Sequence, residues 1–278
     1  MALLTHKIDF AAILTVSHAN PNGDPLNGNR PRENYDGMGE ISDVCIKRKL
    51  RNRLMDAGQP VFVQSDDRRT DEYKSLSERA KANKAIAAAD KAGDVEAFAK
   101  AACEAWIDVR SFGQVFAFKG DKISVGVRGP VSIHPAFSIA PVEILSLQIT
   151  KSVNSEPGKN QKASDTMGAK HRVEHGVYVL YGSINCQLAE KTGFTEEDAE
   201  EIRKALLTLF ENDASSARPD GSMEVREVFW WTHNCKNGQY SSAKVHHSIE
   251  VTPLEEAPYY TVTRNDLDGL TPTVYEGV

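Results

Sequence analysis

Hydrophobic positions in this chain come in short runs, and the period of those runs changes several times along its length. Residues 6–17 (HKIDFAAILTVS) are nearly continuous in apolar and β-branched side chains, which predicts a first strand buried over most of its surface. Residues 20–32 (NPNGDPLNGNRPR) then place a turn-former or chain-breaker at most positions, so no regular element passes through them. A helix is predicted next: Ser42 as N-cap, Asp43 in the first turn, Ile46, Leu50, Leu54 and Ala57 as an apolar stripe, and Gly58 at the C′ position. Residues 65–109 shift to an Ala, Lys, Glu and Asp texture with Gly93 dividing two helical stretches, the pattern of a largely solvent-facing helical insertion.

Beyond the insertion the period returns to that of strands. Two short strands are predicted at 110–118 (RSFGQVFAF) and 122–127, joined through Lys119, Gly120 and Asp121. The first shares Arg110, Phe112, Gly113 and Val115 with the aromatic RNA-stacking motif of RRM sheets, but Ser111, Gln114 and Ala117 depart from it, so its aromatics are assigned to core packing. Residues 142–150 (VEILSLQIT) and 176–185 (GVYVLYGSIN) read as strands. Between them, residues 151–170 (KSVNSEPGKNQKASDTMGAK) hold four lysines, two acids and few hydrophobes, and a non-periodic stretch of that length inside a compact domain is either functional or disordered. Thr195 to Asp198 opens a second helix in the manner of a capping box, running to about Asn212 with Ala199, Ile202, Leu206 and Leu209 inward. Strands at 222–232 and within 243–251 flank the Asn237–Gly238 turn. Without its insertions the order predicts an α+β fold, RRM-like or ferredoxin-like, with both helices on one face of an antiparallel sheet.

Composition narrows the function. With 278 residues, 40 % of them hydrophobic, the chain builds a real core, and a net charge of −6 argues against a body that binds nucleic acid over its whole surface. The charge is uneven: acids concentrate at 195–201 and 66–78, whereas 30–53 and 151–172 are net basic. Lys47, Arg48, Lys49, Arg51 and Arg53 place five cations and no acid in seven residues; taken alone, such a run reads as a solvated helix face. No apolar run approaches eighteen residues and the N-terminal residues lack a signal-peptide core, so the expectation is a cytoplasmic chain with no membrane partner. Cys45, Cys103, Cys186 and Cys235 show no C-x-x-C spacing, which suits reduced thiols and no zinc site.

His171 and His175 sit where loop runs into strand, and His246 and His247 are adjacent, so neither pair offers helical ligand spacing. Asn20, Asn22 and Asp24 resemble the start of a calcium loop, but Pro25 stands where Gly is needed and Pro31 where the closing Glu belongs. No phosphate-loop, dinucleotide or nucleophile-elbow motif occurs, and no cofactor or metal is expected. Asp24 and Asp36 remain as carboxylates for general-base or metal chemistry. A binding role draws on more of the pieces: loop N–H groups, nearby cations and Asn side chains grip a phosphate and sugar backbone without reading bases.

Residues 20–25 (NPNGDP), 29–32 (NRPR), 46–51 (IKRKLR), 168–173 (GAKHRV) and 176–181 (GVYVLY) together resemble the Cas7 family, within it the type I-C (Csd-type) backbone subunit of the CRISPR Cascade antiviral surveillance complex, over essentially the whole chain. The resemblance implies a hand-like protein: an RRM-like palm at 1–64 and 109–278, helical fingers at 65–108, and a thumb hairpin at about 151–170. It implies that Lys47, Arg48 and Arg51 hold the RNA backbone, supported by Asn29, Arg30 and Arg32. Lys170, His171 and Arg172 would stand at the thumb base, and Arg128 and Gly129 would form a further RNA-facing turn. The implied partners are CRISPR RNA, the target DNA strand through the guide, further copies of the chain and other Cascade subunits. A guide-binding subunit of this kind is not an enzyme and leaves base edges free to pair. Related type III subunits resemble the same fold and cleave RNA with an aspartate from the loop after the first strand, which makes a metal-dependent RNA endonuclease using Asp24 or Asp36 the alternative.

Overall fold

The computed structural model describes residues 2–150 and 167–278, so residues 151–166 of the expected thumb lie outside the described residues. In chain order the elements are β1 (Ile8–Ala19), β2 (Gly23–Asp24), β3 (Arg30–Pro31), β4 (Met38–Ile41), α1 (Asp43–Asp56), α2 (Leu76–Ala82), α3 (Lys84–Ala92), α4 (Val95–Ala105) and α5 (Ile107–Phe112). There follow β5 (Gln114–Phe116), β6 (Val125–Val127), β7 (Val131–Ile133), β8 (Ala136–Pro141), β9 (Ile144–Thr150), β10 (Met167–Ile184), α6 (Cys186–Thr192) and α7 (Glu196–Leu207). The chain closes with β11 (Met223–Thr232), α8 (Ser242–His246), β12 (Ile249–Pro253), β13 (Tyr260–Arg264) and β14 (Thr273–Glu276).

β1 is the centre of an antiparallel sheet ordered β14-β11-β1-β10-β8-β4, with β7 and β9 also paired to β10. Its register runs from Ile8 opposite Ile184 to Ala19 opposite Val173 on one side, and from Ile8 opposite Thr232 on the other. Phe10, Ala12, Leu14 and Val16 join the main core with Ile46, Leu50 and Leu54 of α1 and Ala199, Ile202 and Leu206 of α7. Ala11 and Ile13 join a separate cluster with Phe229, Trp231, Val245 of α8 and Ile249 of β12. Both faces of β1 are therefore covered, which is why its sequence is continuously apolar instead of alternating.

The starts of both predicted helices are borne out, and their ends differ. Ser42 Oγ accepts from the Cys45 N–H at the start of α1, and Gly58 follows its end at φ 78°. Ala57 is exposed, so the stripe stops at Leu54. Thr195 and Asp198 form a reciprocal capping box on α7, which ends at Leu207, short of Asn212, while Leu209 stays buried. One strand assignment is corrected: residues 110–112 are the last turn of α5, and only Gln114–Phe116 pairs with Val125–Val127. The Arg110 guanidinium donates twice to Asp198, at 2.9 and 2.7 Å, and that bidentate anchor to the start of α7 overrides the local β propensity. Residues 131–141, which carry Pro135 and Pro141 and gave no strand signal, form β7 and β8, and β10 begins at Met167, nine residues before the predicted strand at 176.

The helical insertion has its own core: Ala80, Ile86, Phe98 and Ala102 pack with Phe62, Trp106, Val109, Phe116 and Val125, several of which lie outside 65–108. Among the described residues no helix is long and apolar enough to cross a membrane.

Candidate nucleic-acid interface

The loop after β1 is pinned at both ends by its asparagines. Asn20 donates its backbone N–H to Ala217 O (2.9 Å) and its side-chain Nδ2 to Asn29 O (2.7 Å). Asn22 Oδ1 accepts from both the N–H (2.9 Å) and the hydroxyl (2.7 Å) of Ser42, tying the loop to the α1 cap. Between them the chain turns through Gly28 and Asn29, both left-handed at φ 58° and 62°, a conformation that Gly adopts without cost and Asn tolerates best among the rest. Gly23 closes the loop: a Cβ there would meet Asn29 Oδ1 at 3.0 Å.

This pinned loop faces the paired strands β9 and β10, in which His171 stands opposite Ser146 and Lys170 opposite Leu147. Arg30 Nη1 donates to Ser146 Oγ at 2.6 Å, and the same hydroxyl lies 2.9 Å from His171 Nδ1. Loop and strands enclose a cleft of about 590 Å³, lined by Asn20, Gly23, Gly28 and Asn29 on one wall and by Ile149, Ala169, Lys170 and His171 on the other. A third segment, Ser216, Ala217 and Arg218, forms its end. Four residues singled out in the sequence, Asn29, Arg30, Lys170 and His171, are thus brought together across a large sequence separation.

The remaining singled-out residues are elsewhere or otherwise engaged. Arg32 lies 3.6 Å from Asp24 and Arg172 donates to Glu174 at 2.9 Å. On α1, Lys47 pairs with Asp43 (2.9 Å), Arg48 donates to Val63 O (2.7 Å), Arg51 donates to the fully buried Asp108 (2.8 Å), and Lys49 pairs with Asp213. Burial, with Arg51 beside it, draws the Arg48 pKa below the ordinary arginine value. The basic run is therefore neither a bare cationic wall nor a merely solvated face: most of its cations are stapled to neighbouring segments. Arg128 is exposed; Gly129 abuts Ser111 and Gly113, where a Cβ would sit 2.2 Å from Ser111 O, so close backbone approach accounts for that glycine. Asp24 Oδ1 caps the following turn by accepting from Leu26 N–H (3.1 Å), and Asp36 is exposed in the turn after Asn34. Among the described residues no group of three or more His, Cys, Asp or Glu is placed to hold a metal ion.

Sequence reasoning missed Ser146 and Arg218 and gave Asn20 no role beyond the loop motif. Ser146 sits in a strand and Arg218 in an irregular segment, and neither position carries a periodic signal. A second cleft of about 540 Å³ includes His18, Glu174, His175, Glu224 and Tyr259. Its two carboxylates suit a phosphate backbone less well than the cations of the first cleft.

A family model described as CRISPR-associated protein Cas7 matches residues 6–267. A protein of Haloferax volcanii described as CRISPR-associated protein Cas7 is 28 % identical over 231 residues, 76 % of this chain and 66 % of the relative, so the match spans just under two thirds of that relative's length. A solved chain titled "CRISPR RNA-guided surveillance complex, pre-nicking" superposes with a TM-score of 0.50 at 18 % identity, over 81 % of this chain and 78 % of that one, and shares its fold.

Proposed function

The chain belongs to the CRISPR-associated Cas7 family, and on that premise we propose that it binds CRISPR RNA as the repeating backbone subunit of a type I-C Cascade surveillance complex. The observation that carries this reading is the meeting of Arg30 and His171 at Ser146, next to the cleft that His171 lines together with Lys170 and Arg218. Cations and amides of that kind hold phosphate and ribose, and they leave base edges turned outward to pair with a target DNA strand. The order β11-β1-β10-β8, with α1 and α7 packed on one face, supports an RRM-like palm. In the same reading the helical cluster serves as fingers and the β9–β10 hairpin as the thumb base. Arg30, Lys170 and His171 are direct contacts with Asn29 beside them, and Arg218, whose Nε donates to Asp213 at 2.9 Å, closes the end of the cleft. Lys47 adds a peripheral contact, and Arg48 and Arg51 act by holding α1 in place. The subunit acts without catalysis, in the cytoplasm, alongside further copies of itself and other Cascade subunits.

The test is a titration of labelled RNAs of unrelated sequence against wild type, Arg30→Glu and Lys170→Glu. Each charge reversal is expected to weaken binding on the order of 10-fold, about equally for every sequence, and to flatten the salt dependence. A wild-type chain that ignores CRISPR RNA, or losses that depend strongly on sequence, would overturn the proposal.

A further inference from the structure

Among the described residues, several side-chain polar atoms are buried without a hydrogen-bond partner, and one of them, Oδ1, belongs to Asn20, a residue that lines the cleft. Asn20 is 7 % exposed. The orientation of its amide follows from its neighbour, because Nδ2 stands 2.7 Å from the Asn29 carbonyl oxygen and the flipped amide would oppose two acceptors. Oδ1 is therefore an acceptor held in a fixed direction with no donor among the described residues, at the end of a loop pinned by Ala217 and Ser42. A buried acceptor left in that state carries the full cost of its desolvation, and such groups in native folds call for a partner.

The chemistry of a nucleic-acid chain identifies that partner. A phosphodiester has acceptors only, so it suits Arg30 and Lys170 and cannot satisfy Asn20 Oδ1. Amino groups on bases are donors, but they differ from base to base, and a groove that holds any guide sequence cannot depend on them. The donor that recurs at every nucleotide, one sugar away from the phosphate, is the ribose 2′-hydroxyl. We propose that Asn20 Oδ1 accepts the 2′-hydroxyl of a nucleotide whose phosphate lies against Arg30 and Lys170, making the cleft selective for RNA over DNA. This rests on the RNA-binding reading above and deepens it by naming the group that tells the two backbones apart. Oδ1 is covered, so the loop shifts as the sugar enters.

The experiment compares RNA, DNA and 2′-fluoro RNA of one sequence on the wild-type chain. The fluoro sugar keeps an RNA-like pucker but has no hydrogen to donate. RNA is expected to bind on the order of 10-fold more tightly than either of the others, the ratio for one hydrogen bond to a buried acceptor. Asn20→Leu is expected to bring the RNA to 2′-fluoro RNA ratio close to one while dependence on Lys170 persists; where that variant folds poorly, Asn20→Ala is read by the same ratio. Equal binding of RNA and 2′-fluoro RNA by wild type, or an undiminished ratio in the Asn20 variant, overturns the subsite while leaving backbone binding intact. Absence of binding to all three oligonucleotides would instead remove the RNA-binding reading itself.

Discussion

Arg51 donates from Nε to Oδ2 of Asp108 across 2.8 Å, and Asp108 has no exposed surface. The same carboxylate accepts from Phe62 N–H (2.7 Å) and Val63 N–H (3.1 Å), so one ion pair joins α1, α5 and the strap between them. Removing the cation leaves a buried carboxylate without its counter-charge, a loss of about 3–5 kcal/mol. Arg51→Ala is expected to lower the melting temperature by many degrees, in contrast to Lys170→Glu, whose Tm stays within about a degree or two of wild type because surface changes of this kind cost little. An Arg51→Ala chain that melts with wild type would show that the pair contributes nothing.

That contrast marks how much was legible beforehand. A continuous apolar run located β1, whose two faces are both covered, and the period of apolar residues located α1 and α7, because burial on one face of a helix repeats at its pitch. Ser42 and Thr195 marked where two helices start, because capping is local chemistry. The basic run of α1 was legible as charge but not as geometry: Asp108 and Asp213, which pair with Arg51 and Lys49, are distant in sequence, and no local pattern announces an ion pair formed by tertiary packing. For the same reason Asn29, Arg30, Lys170 and His171 could be singled out from motifs, whereas Ser146, on which two of them meet, could not.

Gly182 pairs with Phe10 across β10 and β1, and Phe10 stacks on Trp230 with centroids 5.4 Å apart. A Cβ at 182 would stand 2.2 Å from Phe10 Cζ and 2.7 Å from the Ser132 carbonyl oxygen. The ring is held by the stack and the carbonyl by the strand, so neither yields cheaply. Gly182→Ala is expected to destabilise the chain by at least about 1–3 kcal/mol, as overpacking of a tight core does. Chemical denaturation reads the change, and an unaltered midpoint would show that the Phe10 stack is free to move.

Glu227 stands in β11 opposite Glu276 of β14, and burial raises its pKa above the ordinary glutamate value. Its Oε2 has no hydrogen-bond partner among the described residues. The native state thus holds the proton more tightly than the unfolded chain, and its contribution is favourable below the ordinary glutamate pKa and is lost as pH rises through the native value. Glu227→Gln is expected to raise Tm at pH 7 to 8 and to lose that advantage near pH 4. A variant less stable than wild type at pH 8 would mean the carboxylate has a partner that the amide cannot replace.

Asp9 and His246 carry opposite charges when ionised, yet both lose stability in the same direction on acidification. Burial acts to raise the Asp9 pKa, but hydrogen bonds from His233 and Lys7 to Oδ2 outweigh it and hold the carboxyl below its ordinary value. Burial holds the His246 pKa below the ordinary histidine value, with Nε2 3.0 Å from Gly182 O. Each native pKa is depressed, so each contribution is complete above the ordinary value and is lost as pH falls through the native one. Loss is therefore expected first below about pH 6.5, the ordinary histidine range, and then more steeply below about pH 4, the carboxylate range. A Tm profile between pH 8 and 3 checks this: His246→Gln should reduce the first step and preserve the second, and an unchanged first step would assign it to another histidine, with His175, also depressed by burial, the next to be replaced.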